Sequence, residues 1–276
     1  MNDTRIAIVT GGSSGLGCEI ARGLVAAGLR VIVASRDPAR ALRGPTALAA
    51  EAWPLDLADL ASVRAFAVRA RAELPAIDVL VCNAGLWPRL RQLTATGLEL
   101  GFAVNHVGHA ALLHGLDEHL ARGARVVTIA SGLHARGRIA WDDPTLARGF
   151  DPLAAYAQSK LANVMFALAL ARRSPHLRSN AIHPGLVRTA LHDRSPANPI
   201  TAAAAARGPL HLALSPDHAA TTGRYFDQLT SRRPSPLALD RASQDRLWSL
   251  TSTLIETEHG SKRPKAGSGS RRARDP

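Results

Sequence analysis

Cysteine is scarce, at two residues in 276, and Cys18 falls in a helix-like stretch while Cys82 falls in an apolar run. That excludes a disulfide framework or a cysteine-built metal cluster and suits a reducing compartment. No apolar run approaches the roughly 20 residues of a membrane span. The opening residues Met1-Asn2-Asp3-Thr4-Arg5 lead into a short apolar strand without the h-region of a secretory leader. The expectation is a cytoplasmic protein with no membrane span. Acid is also short, at 22 Asp+Glu against 34 Lys+Arg, a formal net charge of +12. An excess of that sign raises nucleic acid or an anionic surface as a partner. Arginine far outnumbers lysine, however, and alanine is abundant throughout, so composition alone accounts for much of it. The end of the chain, SKRPKAGSGSRRARDP, holds six basic residues against one acid, with no hydrophobic periodicity and no aromatic to stack on bases. Residues 259–276 therefore read as a disordered basic tail, with no nucleic-acid partner expected.

With 46% hydrophobic residues, residues 1–258 suffice for one large core. β-Branched runs at Arg5–Thr10, Arg30–Ser35, Ile77–Asn83, Arg125–Ser131 and Arg178–His183 predict strands, with Glu51–Asp56 a weaker sixth. Segments of helical length separate them, which predicts βαβ units and a doubly wound, mostly parallel α/β sheet in a single domain. Gly223–Phe226 predicts a last short strand. Ala238 to Glu258, with Leu247, Leu250 and Leu254 at helical spacing, predicts a packing helix.

The first strand ends in Thr10-Gly11-Gly12-Ser13-Ser14-Gly15-Leu16-Gly17 and runs directly into a helical pattern. Glycines there permit a tight turn and close approach to a pyrophosphate, which the free N–H groups and dipole of the helix attract. A P-loop needs Lys and Ser/Thr after its last glycine, and Cys18-Glu19 stands here, so nucleoside triphosphate hydrolysis is disfavoured. At the tip of the second strand an NAD site carries a carboxylate. Here Ser35 holds the tip and Arg36 follows, which suits the 2′-phosphate of NADP(H) over NAD(H). Asp37, one residue further, reads as the cap of the next helix.

Ligands of an open α/β sheet bind beyond the carboxyl ends of the strands. Polar or turn-forming residues stand there at Asp56-Leu57, Asn83-Ala84-Gly85, Ser131 and His183 to Thr189. Further on, Tyr156 and Lys160 share one face of a predicted helix. A neighbouring cation stabilises a phenolate, so the pair predicts a lowered Tyr156 pKa and a usable acid/base.

In order and spacing, the Thr10–Gly17 loop, Asn83-Ala-Gly85, Asn105 in VNHVGH, Ser131, Tyr156-x-x-x-Lys160 and Pro184-Gly185 resemble the short-chain dehydrogenase/reductase family. FAVNHVGHAALLHGL, RVVTIASGLH and YAQSKLANVMFALAL are similar to its retinol-dehydrogenase-like branch. The resemblance implies an oxidoreductase acting between a carbonyl and an alcohol. Tyr156 would donate the proton, Lys160 would lower its pKa and bind the nicotinamide ribose, and Ser131 would polarise the carbonyl. Asn105 would hold a proton-relay water through the helix backbone. The same resemblance places the pyrophosphate on Gly11, Ser13, Ser14, Gly15, Leu16 and Gly17, and the 2′-phosphate on Arg36. Adenine would lie at Asp56 and Leu57, the adenosine ribose side at Asn83, Ala84 and Gly85, and the carboxamide at Pro184, Gly185, Val187 and Thr189.

The small-molecule substrate is expected to be largely apolar, from the Ala/Leu/Pro character of 190–209. A secondary-metabolite ketoreductase, a retinol- or steroid-type alcohol dehydrogenase and a non-catalytic NADP-binding regulator are the readings weighed. The last is disfavoured by an intact acid/base set. A homo-oligomer through the Tyr156 helix is one option from the resemblance. A serine hydrolase built on Ser131, His134 and Asp142 lacks the G-x-S-x-G elbow. The histidines at 106, 109, 114 and 119 lack H-E-x-x-H spacing and read as partly buried or surface side chains, with no metal site.

Overall fold

A computed structural model describes residues 4–42, 50–187 and 199–260. Within them one eight-stranded sheet carries the molecule, in the order β3-β2-β1-β4-β5-β6-β7-β8. The strands are β1 (Ile6–Thr10), β2 (Arg30–Ser35), β3 (Glu51–Pro54), β4 (Ile77–Cys82), β5 (Leu120–Ile129), β6 (Arg178–His183), β7 (Arg224–Asp227) and β8 (Thr230–Arg232). All pairings are parallel except β7 with β8, which is antiparallel. The helices are α1 (Gly15–Ala26), α2 (Pro38–Leu42), α3 (Leu60–Glu73), α4 (Leu100–Phe102), α5 (Gly108–Leu116), α6 (Pro152–Arg173), α7 (Ala202–Leu214), α8 (Pro236–Leu239) and α9 (Arg241–Gly260). A π turn, Ala103–Val107, joins α4 to α5.

Strand β1 shows why the sheet needs cover on both sides. All five of its residues are buried; Ile6 and Ile8 enter one core with Leu60, Phe66 and Leu112, while Ala7 and Val9 enter another with Ile20, Leu24 and Leu212. Alternation sends successive side chains to opposite faces, and helices close both. The predicted doubly wound α/β fold is the observed one. From β1 the chain builds outward through β2 and β3, then returns to set β4 on the other flank of β1. That reversal opens a crevice at the carboxyl ends of β1 and β4.

Helix α6 starts where Asp151 accepts the Ala154 amide at 2.7 Å with Pro152 in the first turn, a favoured N-terminal pairing. Every residue from Ala155 to Leu170 is buried. The helix contacts β6 and α9, and Trp248 of α9 stacks on Phe166 with ring centroids 5.0 Å apart. By length and composition α6 could cross a membrane, against the expectation that no run comes near that length, but it lies buried inside the fold.

Two strands match their predicted bounds, Arg30–Ser35 and Arg178–His183. Strand β5 begins earlier, at Leu120, and ends at Ile129, so Ser131 lies in the loop beyond it. Strand β8 was not anticipated, because its three residues are polar and exposed. Thr189 and much of the expected substrate loop (188–198), like the basic tail (261–276), lie outside the described residues.

Candidate active site

Beyond the carboxyl ends of β1, β2, β4, β5 and β6 lies one cleft of about 1110 Å³. Its wall takes in Gly11, Ser13, Ser14, Gly15, Leu16, Gly17, Ser35, Arg36, Asp56, Leu57, Asn83, Ala84, Gly85, Ser131, Tyr156, Lys160, Pro184, Gly185 and Val187. Thus nineteen predicted positions, drawn from seven chain segments, meet around one space. Asn105 does not line it.

The glycine loop has the shape an extended diphosphate requires. Gly11 has φ +66, and a Cβ there would lie 2.8 Å from Ala84 Cα; a Cβ at Gly17 would stand 2.5 Å from the Gly11 carbonyl oxygen. A side chain at either position would force the loop away from its own backbone or from Asn83 and Ala84. No side chain caps α1, whose N-cap is Ser14, so its first amides keep their donors for a ligand. The cradle, and a cleft reaching from it to Tyr156 and Lys160, fit a nicotinamide dinucleotide. At the far end of β2, Ser35 turns its hydroxyl onto the Asp37 carbonyl at 3.0 Å, and Asp37 accepts the Arg40 amide at 3.0 Å. The guanidinium-bearing residues Arg36 and Arg40 are exposed on the cleft wall; Arg40 was not anticipated.

At the other end, Tyr156 and Lys160 rise from α6 one turn apart, both 3% exposed. Ser131 lines the cleft beside Tyr156, and its Oγ accepts the Leu133 amide at 3.2 Å. Lys160 Nζ lies 5.5 Å from the Tyr156 ring centre and donates to the Ile129 carbonyl at 3.1 Å. Burial dominates both titrations. It pushes Tyr156 up to about 12, with Ser131 pulling the other way, and it brings Lys160 down to about 8. The expectation that Lys160 lowers the tyrosine is thereby corrected: the desolvation of a nearly enclosed phenol outweighs a cation directed at a carbonyl.

Asn105 acts behind the cleft wall. Wholly buried in the π turn, its Oδ1 accepts the Leu86 amide at 2.8 Å, and its Nδ2 donates to the Leu86 carbonyl at 2.9 Å and to Ser159 Oγ at 2.9 Å. Ser159 in turn donates to the Tyr156 carbonyl at 2.8 Å. The side chain therefore pins the neighbour of Trp87, and Trp87 lies flat on Tyr156, ring centroids 4.5 Å apart and planes 9° apart. Its Nε1 donates to the Pro152 carbonyl at 2.8 Å. Sequence reasoning missed Trp87, since a lone aromatic in a loop has no periodicity to mark it.

Residues 5–199 match the sequence model of the family described as short chain dehydrogenase. The chain belongs to the short-chain dehydrogenase family. Within that family it is similar to retinol dehydrogenase 14 of Mus musculus, 35% identical over 90% of this chain and 85% of that protein. Of solved structures, an uncharacterized protein from Mycobacterium Paratuberculosis aligns with TM-score 0.79 and 33% identity, covering 91% of this chain and 93% of the other. A short chain dehydrogenase from Burkholderia cenocepacia J2315, in complex with NADP, aligns with TM-score 0.66 and 26% identity over 81% and 95%. This short-chain dehydrogenase is an oxidoreductase of the retinol-dehydrogenase-like branch, acting between alcohol and carbonyl groups with a nicotinamide cofactor. Among its described residues no group of three or more His, Cys, Asp or Glu could hold a metal ion.

Proposed function

We propose that this enzyme uses NADP(H) and reduces the ketone or aldehyde of a largely apolar small molecule. The observation that carries the reading is the convergence of Ser131, Tyr156 and Lys160 at one end of a cleft whose other end is the glycine loop Gly11–Gly17. Gly11 to Gly17 hold the pyrophosphate, Arg36 and Arg40 the 2′-phosphate, Asp56 and Leu57 the adenine, and Asn83 to Gly85 the adenosine ribose side. Lys160 holds the nicotinamide ribose, while Pro184, Gly185, Val187 and Thr189 hold the carboxamide. The bound cofactor supplies or accepts the hydride. Ser131 Oγ hydrogen-bonds the carbonyl oxygen, and Tyr156 gives its phenolic proton to that oxygen as the carbon receives the hydride; the reverse transfer oxidises an alcohol. A phenol held near 12 is fully protonated at neutral pH, the form a proton donor to a carbonyl needs.

Leu86, Trp87, Leu100, Val104, Leu133 and Leu186 surround the substrate end, which supports an apolar ligand. Likeness to retinol dehydrogenase 14 supports a second reading, oxidation of a retinol- or steroid-type alcohol; a secondary-metabolite ketone fits the same wall. A cytoplasmic location agrees with the burial of α6.

The test is to titrate the protein with NADPH and NADH by fluorescence. Ketones, aldehydes and alcohols are then scanned for change in the nicotinamide absorbance band, with Tyr156→Phe as control. Tighter NADPH binding and turnover lost by about 100-fold or more in Tyr156→Phe are expected. Binding of neither nucleotide would overturn the reading.

A further inference from the structure

The ring of His109 bridges Thr10, 99 residues earlier in the chain, and Asn105, one turn back along its own segment, behind the cleft wall. Its Nδ1 is 3.1 Å from the Asn105 carbonyl oxygen, and its Nε2 is 2.8 Å from Thr10 Oγ1 at the end of β1. A carbonyl only accepts, so Nδ1 carries the hydrogen. Thr10 Oγ1 already accepts the Asn83 amide at 2.9 Å and the Ala84 amide at 3.0 Å. Those two bonds fill its lone pairs, so its one proton goes to Nε2, the Val81 carbonyl lying further off at 3.3 Å. The ring is then neutral in a single tautomer, with both nitrogens engaged. A protonated ring would bring Thr10 Oγ1 a third donor with no lone pair to receive it. Burial and the Lys160 charge act in the same sense, holding His109 down at about 4.

Each end of this link serves the site. Thr10 is the root of the glycine loop and fastens Asn83 and Ala84 beside it. Asn105 belongs to the π turn and, through Ser159 and Leu86, reaches both Tyr156 and the segment bearing Trp87.

We propose that His109 is a positioning residue: in its Nδ1–H form it locks the Asn105 carbonyl to the Thr10 hydroxyl, holding the nucleotide loop and the turn behind Tyr156 in one register. The functional part of this inference rests on the reading that the cleft binds a nicotinamide nucleotide and reduces a carbonyl. Sequence inspection passed His109 over as one of four histidines without metal-ligand spacing.

Two measurements on the full chain test it. Long-range proton–nitrogen spectra of protein labelled with ¹⁵N-histidine, with His109 identified through Thr10→Ser, should show Nδ1 protonated and Nε2 bare, unchanged from pH 8 to pH 5. An Nε2–H tautomer, or titration above pH 6, overturns the link. The second measurement splits its two ends. His109→Asn keeps a donor near the Asn105 carbonyl and gives up Thr10; His109→Gln keeps an acceptor near Thr10 and gives up the carbonyl. We expect His109→Asn to weaken NADPH binding at least fivefold with kcat within twofold. His109→Gln is expected to cut kcat at least tenfold and shift its pH profile, with NADPH binding within twofold. Equal losses in both variants indicate a packing role only and overturn the proposal, as does no loss in either. If either variant does not fold, the tautomer measurement on the unaltered chain decides the proposal. Should the wild type bind no nucleotide, the functional reading fails, while the tautomer measurement still decides the link.

Discussion

Trp87 and Tyr156 lie face to face, 4.5 Å between ring centroids and 9° between planes, so an indole from the β4 side buttresses the ring of the proposed proton donor. Such a pair contributes about 0.5–1.5 kcal/mol beyond the area it buries. Replacing Trp87 by Ala should lower kcat/KM for carbonyl reduction about two- to tenfold, and Trp87→Phe should recover most of the loss. Steady-state kinetics over one substrate series checks this. An unchanged kcat/KM in Trp87→Ala would mean that the stack orients nothing.

Arg36 and Arg40 flank the end of β2 on the cleft wall, while Asp37 is committed to the Arg40 amide. Arg36→Ala should therefore raise the NADPH dissociation constant about tenfold or more, as befits loss of a charge-assisted bond, and leave NADH within twofold. Paired titrations decide it. A parallel loss for both nucleotides would remove the 2′-phosphate from the account.

Lys160 is the only lysine before Lys262 and Lys265, and burial lowers it to about 8. Reductive methylation with ¹³C-formaldehyde should give, besides the resonances of the α-amino group, Lys262 and Lys265, one that titrates near pH 8 and is absent in Lys160→Met. A midpoint above 10 would show that the ammonium is better solvated than its surroundings indicate.

His106 and His109 are buried and neutral, held down at about 3 and about 4 from 6.5. The unfolded chain takes up their protons as pH falls through 6.5 while the folded chain does not, so the shift favours unfolding below that value. Above pH 6.5 these two histidines add no slope to the stability. It should then fall by about 1.4 kcal/mol per pH unit for each histidine down to their folded values. Urea unfolding at pH 7.5, 6 and 5 measures the slope. His106→Gln, which can keep a partner for Thr251 Oγ1, 2.8 Å from the ring, should halve it.

Much of this architecture was legible because its signals repeat. Strand β2 is almost wholly buried, and its apolar run Val31–Ala34, set between Arg30 and Ser35, marks its ends to the residue. Strand β5 was cut short because Arg122-Gly123 interrupts its apolar pattern before Ala124. The site residues could be read as a constellation, since each sits at a strand end or on one helix face. Asn105 was found by its motif, but its work was not visible, because its partners Leu86 and Ser159 are 19 and 54 residues away. Trp87, His109 and Arg40 carry no spacing that distinguishes them from ordinary loop, helix or surface residues; only the closing of the sheet brings Trp87 and Arg40 to the cleft wall and His109 behind it.

The helix bearing Tyr156 and Lys160 is enclosed by its own chain from Ala155 to Leu170, with α9 laid along it. A second copy of the protein could reach that stretch only after α9 had lifted away, baring Phe166 and breaking the contacts of Asp245 with Arg172 and Arg173. The floor of the reaction site is thus formed and covered by its own chain.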